Sequence, residues 1–195
     1  MILIALEDTK SSKLYVESFR KEVQTDRIIV IAEHRGSDPK NVVLAAKEAN
    51  EVQKKLVEKD QADGFNEVWV VFDTEGPQHP RASVIRNAIQ QALDLGFIVS
   101  VSNPSFEYWF LLHYGYYTQQ FQNGAAVIKE LKRHVKDYSK NKDMYQLLRP
   151  LTEVAIEHSR RIFRERGIYR EKTHPCDCWP STQVHKLIQS ILGQV

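Results

Sequence analysis

Four short apolar runs, each separated from the next by a segment with helical spacing, constrain this chain most. They are Met1–Leu6, Arg27–Ala32 (RIIVIA), Glu67–Phe72 (EVWVVF) and Phe97–Val101 (FIVSV). Runs that are apolar at nearly every position belong in strands covered on both faces. Between them, Ser11–Val23, the stretch behind Gly36–Pro39 and His79–Leu95 carry apolar residues three or four apart, the mark of amphipathic helices. In GSDP, Gly36 makes a turn, Ser37 or Asp38 serves as N-cap and Pro39 takes the first helical position. Val42, Ala45, Ala46, Ala49, Val52 and Leu56 then form the apolar stripe. Strands alternating with helices imply βαβ units, hence an α/β fold with a parallel four-stranded sheet flanked by helices.

After residue 102 no further strand is expected and the pattern turns helical. Asn103-Pro104 starts a helix to about Tyr114, and Gly124–Val135 forms a second. Asp143–Gly167 is a long helix that Pro150 kinks or splits, and Ser181 caps a last one. The expected organisation is an α/β core over residues 1–115. A C-terminal helical extension over residues 116–195 packs on it as one compact body.

Composition narrows the class. Apolar residues make up 42% and charged residues 27%, which suits a soluble globular chain. Lys and Arg number 27 against 25 Asp and Glu, a balance that neither demands nor excludes a nucleic-acid partner. Cys176 and Cys178 are too close for a disulfide framework and fit a reducing cytoplasm. The longest apolar runs, about six to eight residues, do not span a membrane. MILIALEDTK lacks a basic start and reads as a first strand, not a signal peptide.

In parallel sheets ligands bind at the C-terminal strand ends. Glu7 follows the first strand, and Asp73 and Glu75 follow the third. If those strands are neighbours, the carboxylates share one crevice. Hard oxygen donors on an open site suit Mg²⁺ or Mn²⁺; solvated acidic loops are the plain alternative. Glu107, near the start of the helix after strand four, is a metal ligand, an orienting group, or a carboxylate favoured by the helix dipole. His113 lies six residues on, about 240° round the helix, and reads as structural. Arg160, Arg161, Arg164, Arg166, Arg170 and Lys172 either grip phosphates or form a solvated face. His174, Cys176, Cys178 and His185 lack the usual finger spacing, which argues against zinc.

Several motifs together resemble the RloB-like proteins, whose core is TOPRIM-like. They are Glu7 with Tyr15, the GSDP turn, EVWVVFD (Glu67–Asp73), SNPSFEYWFLLHY (Ser102–Tyr114), YSK (Tyr138–Lys140) and PSTQVHKL (Pro180–Leu187). The resemblance implies that Glu7, Asp73 and Glu75 bind Mg²⁺ or Mn²⁺ for phosphodiester chemistry. It gives Glu107 a place completing or orienting that set, and leaves Lys10 and Lys140 to join Arg160, Arg161 and Arg164 on the phosphate backbone. The chain departs from the family pattern where Asp8 replaces a Gly, Ser12 a Glu, and Glu75 the second Asp. The lost carboxylate at position 12 weakens the case for a second tightly held ion.

What the resemblance implies is a cytoplasmic nuclease effector of a bacterial antiphage or abortive-infection locus. It would cut DNA or RNA, tRNA included, under the control of an AAA-type or ABC-type ATPase, with room for a homo-oligomer and no membrane partner. The competing expectation is a catalytically inactive adaptor or sensor that binds the ATPase or nucleic acid. A flavodoxin-like ligand domain is disfavoured, because Glu7-Asp8 stands where phosphate-binding glycines would be needed.

Overall fold

The computed structural model describes the chain apart from positions 24, 26, 34, 35, 37, 77, 78, 167–173 and 195. Ser37, Arg170 and Lys172, singled out above, lie outside the described residues. A five-stranded sheet in the order β2-β1-β3-β4-β5 organises the fold. Its strands are β1 (Ile2–Leu6), β2 (Ile29–Ala32), β3 (Glu67–Asp73), β4 (Ile98–Asn103) and β5 (Ser181–Thr182). The first four are parallel, in line with the apolar runs.

Side-chain alternation distributes each strand between two cores. Ile2, Ile4, Leu6, Trp69 and Val71 face one layer; Leu3, Ala5, Val68, Val70 and Phe72 face the other. The second layer is closed by α2 (Pro39–Val57) and α3 (Ala82–Asp94). The first is closed by α1 (Ser11–Glu22), α4 (Glu107–Leu112), α5 (Gly124–Leu131), α6 (Tyr145–Leu148), α7 (Thr152–Arg166) and α8 (Val184–Leu192). Asp38 caps α2 by accepting from the Lys40 N–H at 2.9 Å. Val52, expected on the buried stripe, is 58% exposed.

The second half departs from expectation in three places. β5 adds a strand after residue 102: Thr182 and Ser181 pair antiparallel with Ser102 and Asn103. Two residues are too few to carry a periodic pattern. Ser181 therefore belongs to β5 and does not cap α8, whose N-cap position is Gln183. Asn103 is likewise no cap. It ends β4, a cis peptide joins it to Pro104, and α4 begins only at Glu107. The long helix is split at Pro150 as expected: a 3₁₀ turn, Arg149–Leu151, separates α6 from α7.

From β1 the chain moves outward to β2, then returns to the other side of β1 for β3. That reversal makes the C-terminal ends of β1 and β3 the natural binding crevice.

Candidate active site

Glu7 is the first residue beyond β1. Its N–H donates to the Val71 carbonyl at 3.0 Å, extending the ladder by one step. Its Oε2 accepts the Asp73 N–H at 3.1 Å, and its Oε1 stands 3.8 Å from the Arg81 guanidinium. Burial pushes the Glu7 carboxyl up to about 7, outweighing the Asp73 N–H and Arg81, which act the other way. Asp73, the last residue of β3, is 8% exposed. Its carboxyl is held well above the usual range, first by burial and then by the charges of Glu107, Glu7, Asp8 and Glu75. One electrostatic neighbourhood thus contains five acids from three separate segments.

The turn after Asp73 is tightly determined. Thr74 N–H donates to Ser102 O at 3.0 Å and Glu75 N–H to Pro104 O at 2.7 Å. Thr74 Oγ1 donates to Asn103 Oδ1 at 2.7 Å. Held this way, Glu75 adopts φ 60°, a left-handed conformation that costs a non-glycine residue about 1–2 kcal/mol. Gly76 follows at φ 103°, where a Cβ would sit 2.6 Å from the Gln122 carbonyl. Backbone strain of this kind, held by an over-determined turn, clusters at functional sites in proteins generally.

Glu107 is fully buried, although it opens α4. Its Oε1 lies 3.0 Å from Ser11 Oγ, accepts the Tyr138 hydroxyl at 3.0 Å and lies 3.6 Å from Lys140 Nζ. Its Oε2 is buried with no hydrogen-bond partner. The YSK segment thus delivers its first and third residues to one carboxylate. Asp8 plays a different part. It accepts from the Lys10 N–H at 3.0 Å, the Ser12 N–H at 3.0 Å and Ser11 Oγ at 2.5 Å, so its charge caps the start of α1. Ser12 Oγ donates back to the Asp8 carbonyl at 3.0 Å. The two departures from the family pattern at positions 8 and 12 are therefore one local unit.

Glu7, Asp73, Glu75, Arg81 and Lys140 line one hollow of about 390 Å³. Arg81, just before α3, joins this set without any motif in the sequence that marks it. Lys10 lies exposed at the start of α1. The other basic candidates are not brought to this hollow. Arg160 lies by Glu67, Trp69 and Ile98, at the opposite end of β3 and β4. Arg161 sits 4.3 Å over the Tyr116 ring and pairs with Glu165 at 2.8 Å, while Arg164 pairs with Glu157 at 2.6 Å. His113 is a core residue whose Nδ1 lies 2.9 Å from Trp109 O, and burial lowers it to about 4.

Among the described residues, no three His, Cys, Asp or Glu side chains form a ready-made cage. Mg²⁺ is commonly held by one or two carboxylates, with water and substrate phosphate completing the shell. Mutually repelling carboxylates and the unpartnered Glu107 Oε2 fit that kind of open site.

Residues 2–191 match the sequence model of the RloB-like protein family, and the chain belongs to that family. No curated protein and no solved structure matches it. No described helix is long and apolar enough to cross a membrane.

Proposed function

We propose that this protein is a metal-dependent nuclease that hydrolyses phosphodiester bonds in nucleic acid. One observation carries the reading: five acids share one electrostatic neighbourhood at the β1–β3 crevice, and among the described residues Arg81 and Lys140 are the cations that line its hollow. Asp73 and Glu75 would hold Mg²⁺ or Mn²⁺, with Glu7 and Glu107 beside them. A bound ion supplies charge stabilisation at the phosphoryl oxygen and an activated water. Glu7 is oriented by the Asp73 N–H on Oε2, which leaves Oε1, 3.8 Å from Arg81, as the atom that would take a proton from an attacking water. Arg81 and Lys140 supply donors for the phosphate oxygens. Family membership further supports a role as effector in an antiphage locus under an AAA-type or ABC-type ATPase.

A second reading, a non-cutting adaptor or sensor that binds the ATPase or nucleic acid, is favoured by one observation. Asp8 and Ser12 form a structural cap where the family carries a second Glu. The full-length protein, with the ATPase of its own locus, should be incubated with single-stranded DNA, duplex DNA and tRNA in Mg²⁺ or Mn²⁺. Cutting that Asp73→Asn abolishes supports the nuclease. Intact nucleic acid in both metals, with ATPase binding unaffected by Asp73→Asn, selects the adaptor.

A further inference from the structure

The Thr74–Gly76 turn has two sides. Glu75 faces the acidic hollow, while Thr74 and Gly76 line a larger cavity of about 600 Å³. Residues 74–76 therefore contribute to the lining of both hollows. The far wall of the larger one includes Cys176, Cys178 and Trp179. It is tied to the turn through one buried amide: Asn103 accepts from Thr74 and donates to the carbonyls of Cys176 and Cys178 at 3.0 Å each. The position of the turn is thus coupled to both hollows.

The chemistry of this cavity differs from that of its neighbour. Arg166 donates to Trp179 O at 2.5 Å and Thr118 O at 2.9 Å, partners that fix the guanidinium without neutralising it. Arg86 pairs with Asp177 at 2.6 Å, but both are about half exposed. Such a surface pair is weak, so a phosphate can compete for the arginine. The Trp179 indole N–H donates to Phe121 O at 2.8 Å, which sets the ring plane of this partly exposed side chain. Burial pushes the Cys176 thiol up to about 11 and raises that of Cys178. A fixed aromatic plane with two arginines is the combination that stacks a base and holds its phosphate.

We propose that this cavity is a nucleotide subsite. It takes the base and phosphate of one nucleotide in a single strand whose neighbouring phosphodiester lies in the acidic hollow. The proposal rests on the nuclease reading for the direction of the strand. A base must be unstacked to lie on Trp179, which favours single-stranded over duplex nucleic acid.

The test uses the full-length protein in EDTA, so that nothing is cut, and short fluorescein-labelled oligo-dT and oligo-U probes. Trp179→Leu should weaken binding roughly tenfold, and Trp179→Phe, which keeps a ring, should restore most of it. Arg86→Gln should weaken binding and reduce the slope of log affinity against log salt by about 0.7. Circular-dichroism melts verify that each variant is folded. Unchanged binding in Trp179→Leu and Arg86→Gln overturns the proposal, as does competition by UMP or TMP as strong as by the strand. Failure of the two readings is separable. Strand binding that needs Arg86 and Trp179, without cutting in metal, removes the nuclease and keeps the subsite. Asp73-dependent cutting with KM unmoved by both substitutions removes the subsite and keeps the nuclease.

Discussion

The backbone N–H of Asp73 donates to Glu7 Oε2 at 3.1 Å, so the carboxylate after β1 is fixed by β3. Adjacent parallel strands hold two acids together that charge alone would separate. That arrangement has a stability cost with a definite pH dependence. Glu7 is raised from 4.5 to about 7, chiefly by burial. Below pH 4.5 it is neutral folded and unfolded, and contributes nothing. Between 4.5 and 7 the unfolded chain releases a proton that the folded protein keeps, so stability falls as pH rises. Above 7 the full cost, at most about 3 kcal/mol, is present. Glu7→Gln, which still accepts the Asp73 N–H, should resist urea better than the natural protein at about pH 8 in EDTA, and equally at about pH 4. Equal midpoints at both pH values would contradict this account.

Tyr138 and Glu107 are both buried and joined by a 3.0 Å hydrogen bond. The other hydroxyl on Glu107 is divided. Ser11 Oγ is 2.5 Å from Asp8 Oδ2 and 3.0 Å from Glu107 Oε1, and carries a single hydrogen. Tyr138 is therefore the committed donor. Tyr138→Phe should lower stability by about 1–3 kcal/mol in urea titrations, the range for depriving a buried acceptor of its donor. A variant as stable as the natural protein would show that Lys140 and Ser11 suffice.

The turn beside Asp73 makes opposite predictions at adjacent positions. Gly76→Ala places a Cβ 2.6 Å from the Gln122 carbonyl at φ 103°, and should cost about 3 kcal/mol. Glu75→Gly relieves the left-handed strain at φ 60° and should gain up to about 1 kcal/mol. Thermal melts of both proteins in EDTA check the pair. Loss of stability in Glu75→Gly would mean that its side chain contributes more than its backbone costs.

The sheet was legible because each parallel strand is buried on both faces and therefore apolar along its length. The crevice followed from it, since Glu7 and Asp73 stand directly after or at the end of two such runs. What failed had a physical cause in each case. Asn103-Pro104 has the residue types of a helix start, yet a buried amide satisfied by Thr74, Cys176 and Cys178 holds Asn103 at the end of a strand. β5 is too short for periodicity. The basic run on α7 gave sign and density of charge but not position; Arg160 ends up at the other end of the sheet. Arg81 was hidden because a lone basic residue in a loop carries no pattern.

Divalent metal should reverse a stability order. Without metal, burial of the Asp73 carboxylate and repulsion from its acidic neighbours burden the folded state, so Asp73→Asn should melt above the natural protein. Added Mn²⁺ binds only where the carboxylates remain. At about one hundred times its dissociation constant it contributes about 2.7 kcal/mol, or about 5–10 °C in Tm for a chain of this size. The natural protein should then gain on the variant or overtake it, while Asp73→Asn shifts little. Glu107→Gln locates the ion further. If the unpartnered Oε2 of Glu107 is a ligand, this variant should lose most of the Mn²⁺ shift; if Glu107 only positions Lys140 and Tyr138, it should keep it. A natural protein whose Tm does not move in Mn²⁺ or Mg²⁺ would leave the clustered acids without a metal and favour the adaptor.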